Sequence, residues 1–134
     1  MSFAWDSPVF FDELDPNGHL HNSRFALHVE RAQSALFEQL GKQWTHPSER
    51  GADLHYVVRE LHVEFLTPVS SPGPLRVELT GLRIGTTSAT YGFICGADPV
   101  RARGHRVIVK LDPETGRPAP WSDWYRGVFA ELSA

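Results

Sequence analysis

The stretch ELDPNGHLHNSRF, Glu13 to Phe25, crowds acids, two histidines and two asparagines directly ahead of a long amphipathic run. A carboxylate such as Asp15 can take a proton from water or attack a carbonyl carbon. An imidazole such as His19 passes protons near neutral pH. The unpaired N–H groups at a helix start stabilise negative charge growing on an oxygen. The same residues have a plainer use, because Asp-Pro-Asn-Gly is a strong turn sequence and Asn22 or Ser23 is an ordinary helix cap. Pro16 biases Asp15 to an extended backbone, and Gly18 lets a backbone or substrate pass closely.

The elements that must hold these residues are legible around them. Phe25, Val29, Ala32, Leu36 and Leu40 recur at the spacing of one buried helical face, so a helix is expected over Ser23–Leu40, ended by Gly41. The segment Thr45–Asp53 reads as a loop. After it come four runs of alternating character, His55–Leu66, Leu75–Ile84, Ser88–Ala97 and Arg101–Leu111, each read as a strand. In the first, the buried phase runs through Tyr56 and Val58 and resumes at Leu61, Val63 and Phe65, a slip that predicts a β-bulge near Arg59 and Glu60. Gly81 marks a similar slip between Leu79 and Leu82. A short strand around Val9–Phe11 is expected ahead of the helix, and a closing helix over Ser122–Leu132 with Trp124, Tyr125, Val128 and Leu132. A helix with one apolar face and a curved antiparallel sheet with one apolar face satisfy each other by packing, which gives an α+β fold with the helix in the sheet's concavity.

Composition narrows the class. The 134 residues make one domain's worth of chain, 1–134, and carry 13 Lys and Arg against 16 Asp and Glu. A net charge of −3 gives no field for nucleic acid or an acidic membrane. No apolar stretch approaches the roughly 20 residues that span a bilayer. The N-terminus lacks the pattern of a secretory signal and the single Cys95 cannot form an internal disulfide, so a cytoplasmic location is expected. Cys95 alternates with Tyr91 and Phe93 and reads as a small core residue. His55, His62 and His105 lack metal-ligand spacing, so no metal is expected.

Three stretches, DPNGHLHNSRF before the helix, YVVRELHVEFLTPV after it and LRIGTTSATYGF across the next turn, resemble in order and separation the hotdog-fold acyl-CoA thioesterases of the 4-hydroxybenzoyl-CoA thioesterase-like family. The resemblance covers roughly Trp5 to Phe129. It implies a long central helix wrapped by a curved antiparallel sheet, and hydrolysis of an acyl-CoA or acyl-carrier-protein thioester without a cofactor. Asp15 matches the family's nucleophile or general base. DPNGH is also similar to the Asp-x-Asn-x-His arrangement of plant acyl-carrier-protein thioesterases, which implies helper roles for Asn17 and His19. Bacterial relatives with a histidine seven residues after the acid find Asn22 there in this chain. An N–H of Asn22, Ser23 or Arg24 would serve as the oxyanion site.

The resemblance also implies that Gly85–Ser88, with Thr86, Thr87 and Ser88, contacts the nucleotide end of CoA, with charge from Arg83, Arg103 or Arg106. A plain hairpin turn is the alternative. Arg59 is a substrate-contact candidate or half of an ion pair with Glu60. The tryptophans line an acyl pocket or pack the core. A homodimer or homotetramer is expected. Two other functions fit the fold: a non-catalytic acyl-thioester binder, in which Asp15 is only a turn residue, and a hydratase, whose longer hydration motif the sequence does not contain.

Overall fold

The computed structural model describes residues 1–42 and 51–134. Most of the expected loop Thr45–Asp53 lies outside the described residues, as does Trp44. The elements are β1 (Phe3–Val9), α1 (Arg24–Gln39), β2 (Tyr56–Phe65), β3 (Gly73–Ile84), β4 (Ser88–Cys95), β5 (Ala102–Lys110) and α2 (Asp123–Ser133), with single 3-10 turns at Phe11–Glu13 and Ala52–Leu54. The strands form one antiparallel sheet in the order β1-β3-β4-β5-β2.

The first strand differs from the expectation. It spans Phe3–Val9, paired with β3 from Phe3 opposite Leu79 to Val9 opposite Gly73. The chain leaves the sheet at Phe10, whose N–H donates to the Glu13 carboxylate at 2.7 Å, so Phe11 belongs to a turn.

Helix α1 buries Phe25, Val29, Ala32, Leu36 and Phe37 against the sheet. Removing the larger of these side chains from water is worth roughly 1.5–3 kcal/mol each, which is why the apolar spacing dictates the helix. Gly41 ends it in a left-handed conformation, φ +80°, with its N–H on the Glu38 carbonyl and the Lys42 N–H on that of Phe37. At the other end Ser23 occupies the cap position but its hydroxyl does not cap. Its N–H and Oγ both turn to His21 Nδ1, and His21 O accepts the Arg24 N–H.

Both expected bulges are present. The β2–β5 register passes from Val58–Ile108 to Glu60–Val107 and leaves Arg59 unpaired, while β3–β4 passes from Gly81–Tyr91 to Arg83–Thr90 and leaves Leu82 unpaired. At Gly81 a Cβ would stand 2.5 Å from Ser133 Oγ and 3.1 Å from the Phe129 ring, so only glycine lets α2 dock there. At Gly104 a Cβ would collide with the His62 carbonyl oxygen, so β5 and β2 touch backbone to backbone.

The expected burial of β2 is not met. Helix α1 packs on β1, β3 and β4, and the inner face of β2 at the sheet edge stays open: Val58 is 45% exposed, Leu61 44% and Phe65 48%. The phase is as expected, since Leu61 pairs with the inward Arg106 and Phe65 with the inward Ala102, but the described residues cover it only in part: Tyr56 and Val63 pack on the core and Phe65 meets Phe25, while Val58 and Leu61 stay open.

The closing helix is tied down by polar and aromatic contacts. Asp53 accepts from Lys110 Nζ and from the N–H and hydroxyl of Ser122, while Ser122 Oγ caps α2 by accepting the Tyr125 N–H. Trp121 stacks on Tyr125 at 4.1 Å. Cys95 is fully buried, and burial pushes its thiol up to about 12, as a small core residue requires.

Candidate active site

The segment from Glu13 to His21 folds into a hairpin that presents Asp15. Leu14 bridges Leu20, the His21 N–H donates to Glu13 O, and the Asp15 N–H donates to His19 O at 2.7 Å. The Gly18 N–H returns to Asp15 O, with Gly18 at φ +76°, where a side chain is strained. Within this turn Asp15 Oδ1 accepts two backbone N–H groups, from Asn17 at 2.9 Å and His19 at 3.1 Å. The His19 bond foremost, against partial burial and aided by the Asn17 bond, holds the Asp15 carboxyl below the usual carboxylate range. The second oxygen, Oδ2, makes no hydrogen bond among the described residues. The turn and the candidate carboxylate are therefore one structure: the Asx-type bonds that make Asp15 a turn residue also favour its ionised form.

That carboxylate borders a cleft of about 290 Å³ between the hairpin, the first turn of α1 and the end of β2. Asp15, His19 and Asn22 line its polar side, and Phe25 with Phe65 forms its apolar wall. Arg101 reaches the cleft with its guanidinium fixed by a 2.6 Å bond to Pro68 O. Of the three N–H groups expected to serve an oxyanion, Ser23 and Arg24 are already spent on His21, whereas Asn22 N–H makes no hydrogen bond among the described residues. The cleft is thus lined by an ionised carboxylate and by a residue just ahead of a helix whose N–H is unspent among the described residues.

The structure does not bring every candidate here. Asn17 and Gly18 stand exposed at the tip of the hairpin, outside the lining of the cleft. Ser23 is turned to His21, and Arg59 is exposed at the β2 bulge. Thr86, Thr87 and Ser88 lie at the start of β4, the end opposite the cleft, where the Thr86, Thr87 and Ser88 carbonyls accept from Trp121 N–H, Lys110 N–H and Trp121 Nε1 respectively. Arg106 is not available to a phosphate: it is buried under α1 and bonds Glu30 and Gln33. Arg103 pairs with Glu64, and no tryptophan among the described residues lines the cleft. Sequence reading missed Phe65 as a wall residue and Arg101 altogether. Phe65 was visible only as one apolar residue of a strand, and Arg101 sits in a loop that no motif marks.

A model of the thioesterase-like superfamily matches residues 9–129. The chain belongs to that superfamily. Among solved structures, a candidate thioesterase from Pseudomonas aeruginosa is 27% identical, covers 94% of this chain and 96% of its own, and superposes with a TM-score of 0.81. A thioesterase from Thermus thermophilus, solved in complex with coenzyme A and Zn, is also 27% identical, with 96% and 92% covered and a TM-score of 0.78. A 1,4-dihydroxy-2-naphthoyl-CoA thioesterase from Synechocystis, 15% identical over 98% of both chains at a TM-score of 0.83, shares the fold. No curated protein matches the sequence. The thioesterase-like family and the curved sheet around α1 establish the hotdog fold read from the sequence. Among the described residues no helix is long and apolar enough to cross a membrane.

Proposed function

We propose that this thioesterase-like protein hydrolyses an acyl-CoA thioester to free acid and thiol. The observation that carries the reading is that Asp15, with one carboxylate oxygen unbonded among the described residues, and Asn22, with its N–H unspent among them, line one cleft at the start of α1. A thioester carbonyl set between them has its oxygen on the donor and its carbon facing the carboxylate. Asp15 then either attacks that carbon, forming an anhydride that water opens, or takes a proton from the attacking water. The Asn22 N–H and the helix start hold the oxyanion, and the thiolate leaves. In this reading His19, which lines the cleft, orients the water. Phe25 and Phe65 receive the acyl group.

The CoA-bound thermophile relative and the naphthoyl-CoA relative support CoA as the thiol carrier. The cleft is open beside Phe65, where Val58, Leu61 and Phe65 on the inner face of β2 stay nearly half exposed, so we read the working form as a homodimer at least, in which a second copy closes that side. A CoA substrate and a reduced, buried Cys95 fit a cytoplasmic location.

The test is a panel of acyl-CoA and acyl-carrier-protein thioesters incubated with the protein and a thiol reagent. Release of free thiol from CoA thioesters is expected. Tight binding of the thioesters with no thiol released would instead make the protein a non-catalytic binder, and activity on carrier-protein thioesters alone would move the carrier assignment.

A further inference from the structure

A second polar assembly lies beneath the hairpin, wholly outside the cleft. His28 projects from the apolar face of α1 and is fully buried, and Ser7 on β1 is equally buried. Ser7 Oγ meets His28 Nδ1 at 2.5 Å, and His28 Nε2 meets Glu13 Oε1 at 2.8 Å. With the ring neutral, as its burial favours, the hydroxyl donates to Nδ1 and Nε2–H donates to the carboxylate. The bonding order is that of a hydrolase triad, but the hydroxyl is sealed in the core and cannot meet a substrate.

What this chain of bonds does touch is the base of the Asp15 hairpin. Glu13 is held from three directions: its Oε2 accepts the Phe10 N–H at the end of β1, its Oε1 accepts from His28 on α1, and its carbonyl accepts the His21 N–H from the returning arm. His21 in turn offers its carbonyl to the Arg24 N–H, the first residue of α1. One connected path therefore runs from the core through Glu13 to both the carboxylate-bearing hairpin and the helix start. Three polar groups at this depth must satisfy one another or lose their hydration uncompensated. An apolar side chain at position 28 alone would strand the buried Ser7 hydroxyl and one Glu13 oxygen, so only apolar residues at all three positions would fill the slot without that demand. What the polar set adds over apolar packing is direction.

We propose that Glu13 and His28 are positioning residues: the Ser7–His28–Glu13 chain fixes the hairpin, and Asp15 with it, against the start of α1. The inference rests on Asp15 as the reacting carboxylate. Misplacing a reacting group by about 1 Å costs on the order of a hundredfold in rate, so the strut acts on kcat through geometry. Of the charged groups facing the His28 ring, Glu13 favours its protonation, and Arg31 and Arg24 oppose it.

The test uses the full chain and two readouts, amide hydrogen exchange and CoA-thioester hydrolysis. Glu13→Gln keeps the shape but replaces one accepting oxygen with an NH2 donor, so His28 keeps a partner there only by moving its proton to Nδ1, which strands the Ser7 hydroxyl proton. Exchange at Asp15 and His21 should accelerate roughly tenfold or more while Val29 in the core of α1 is unchanged. Thioester turnover should fall about 10- to 100-fold in kcat with KM nearly constant. His28→Gln, whose amide can still donate to Glu13, should retain most of the wild-type behaviour, and His28→Phe should lose it. That pair decides the matter if Glu13→Gln does not fold. Wild-type exchange at Asp15 and His21 in Glu13→Gln and His28→Phe would overturn the proposal, as would acceleration spread equally to Val29, which marks general loss of stability. If the wild-type chain releases no thiol from any CoA thioester, the hydrolysis reading falls, and the exchange difference alone decides whether the strut fixes the hairpin.

Discussion

Phe25 and Phe65 meet edge to face in the wall of the cleft, ring centroids 5.6 Å apart and planes at 63°. Phe25 is buried in the first turn of α1, whereas Phe65 stands half exposed at the end of β2. The apolar wall therefore has one buried and one half-exposed member, and on the proposed reading the half-exposed one sets how much acyl group the cleft admits. Phe65→Ala should raise KM for small acyl-CoA substrates several-fold and shift preference toward bulkier acyl groups, since about 1–3 kcal/mol of discrimination hangs on filling such a pocket. Steady-state kinetics across an acyl series would show it.

On the proposed reading Asp15 works in its ionised form. Because the His19 N–H foremost holds its carboxyl below the ordinary range, kcat/KM should stay level as pH falls through about 4, where an unperturbed aspartate titrates, and drop only beneath that. Asp15→Asn should lower kcat by on the order of a hundredfold or more with KM little changed, because the lost interaction belongs to the transition state. Thiol release in that variant at the wild-type rate would remove Asp15 from the reaction.

His19 holds Asp15 through its backbone, which donates to Oδ1, and lines the cleft with its ring. His19→Ala thus spares the carboxylate's hydrogen bonds and removes only the imidazole. A loss of roughly ten- to a thousandfold in kcat is expected if the ring orients or deprotonates water. A near-normal kcat would leave Asp15 acting with the helix start alone.

Acid should weaken the fold in two stages. Burial foremost holds the His28 ring below its usual range, against the pull of Glu13. As pH drops below about 6.5 the unfolded chain gains a proton at position 28 that the folded chain refuses, so stability declines from there. Glu13 and Asp53 are held below the carboxylate range despite their burial. Glu13 owes this to the Phe10 N–H and then to His28, and Asp53 to Ser122 and then to Lys110. Their contribution is complete above the unfolded carboxylate range and is lost as pH falls through the folded values. Urea midpoints measured from about pH 7.5 to about pH 3 should show both slopes, and His28→Gln should remove the first.

Leu61, 44% exposed on the inner face of β2, lies where a second copy would cover the sheet edge. Leu61→Asp should convert a dimer to monomer in sedimentation at micromolar concentration, with thiol release falling alongside. A wild-type chain that sediments as a monomer would refute the assembly.

The helix and four strands were legible because each had a period, and both bulges because the period slipped by one residue at Arg59 and at Gly81. The strand β1 was misplaced because Phe10 and Phe11 look like strand residues until the Glu13 side chain turns the chain away. Asp15, His19 and Asn22 shared one short stretch and were found together. Phe65 and Arg101 were not, because the cleft joins them only through the return of β2 and the loop before β5. His28 reads as one polar residue on an apolar helix face, and its partners Ser7 and Glu13 come from elements that sequence spacing does not relate to it.

Gly104 sets the reach of β2 as well as its contact with β5. With no side chain at that point, the His62 backbone sits directly against it, and Phe65 follows three residues along the same strand. Any larger residue at 104 would lever the sheet edge outward and carry Phe65 with it. A change there would surface as altered substrate preference in an enzyme whose cleft residues are all intact.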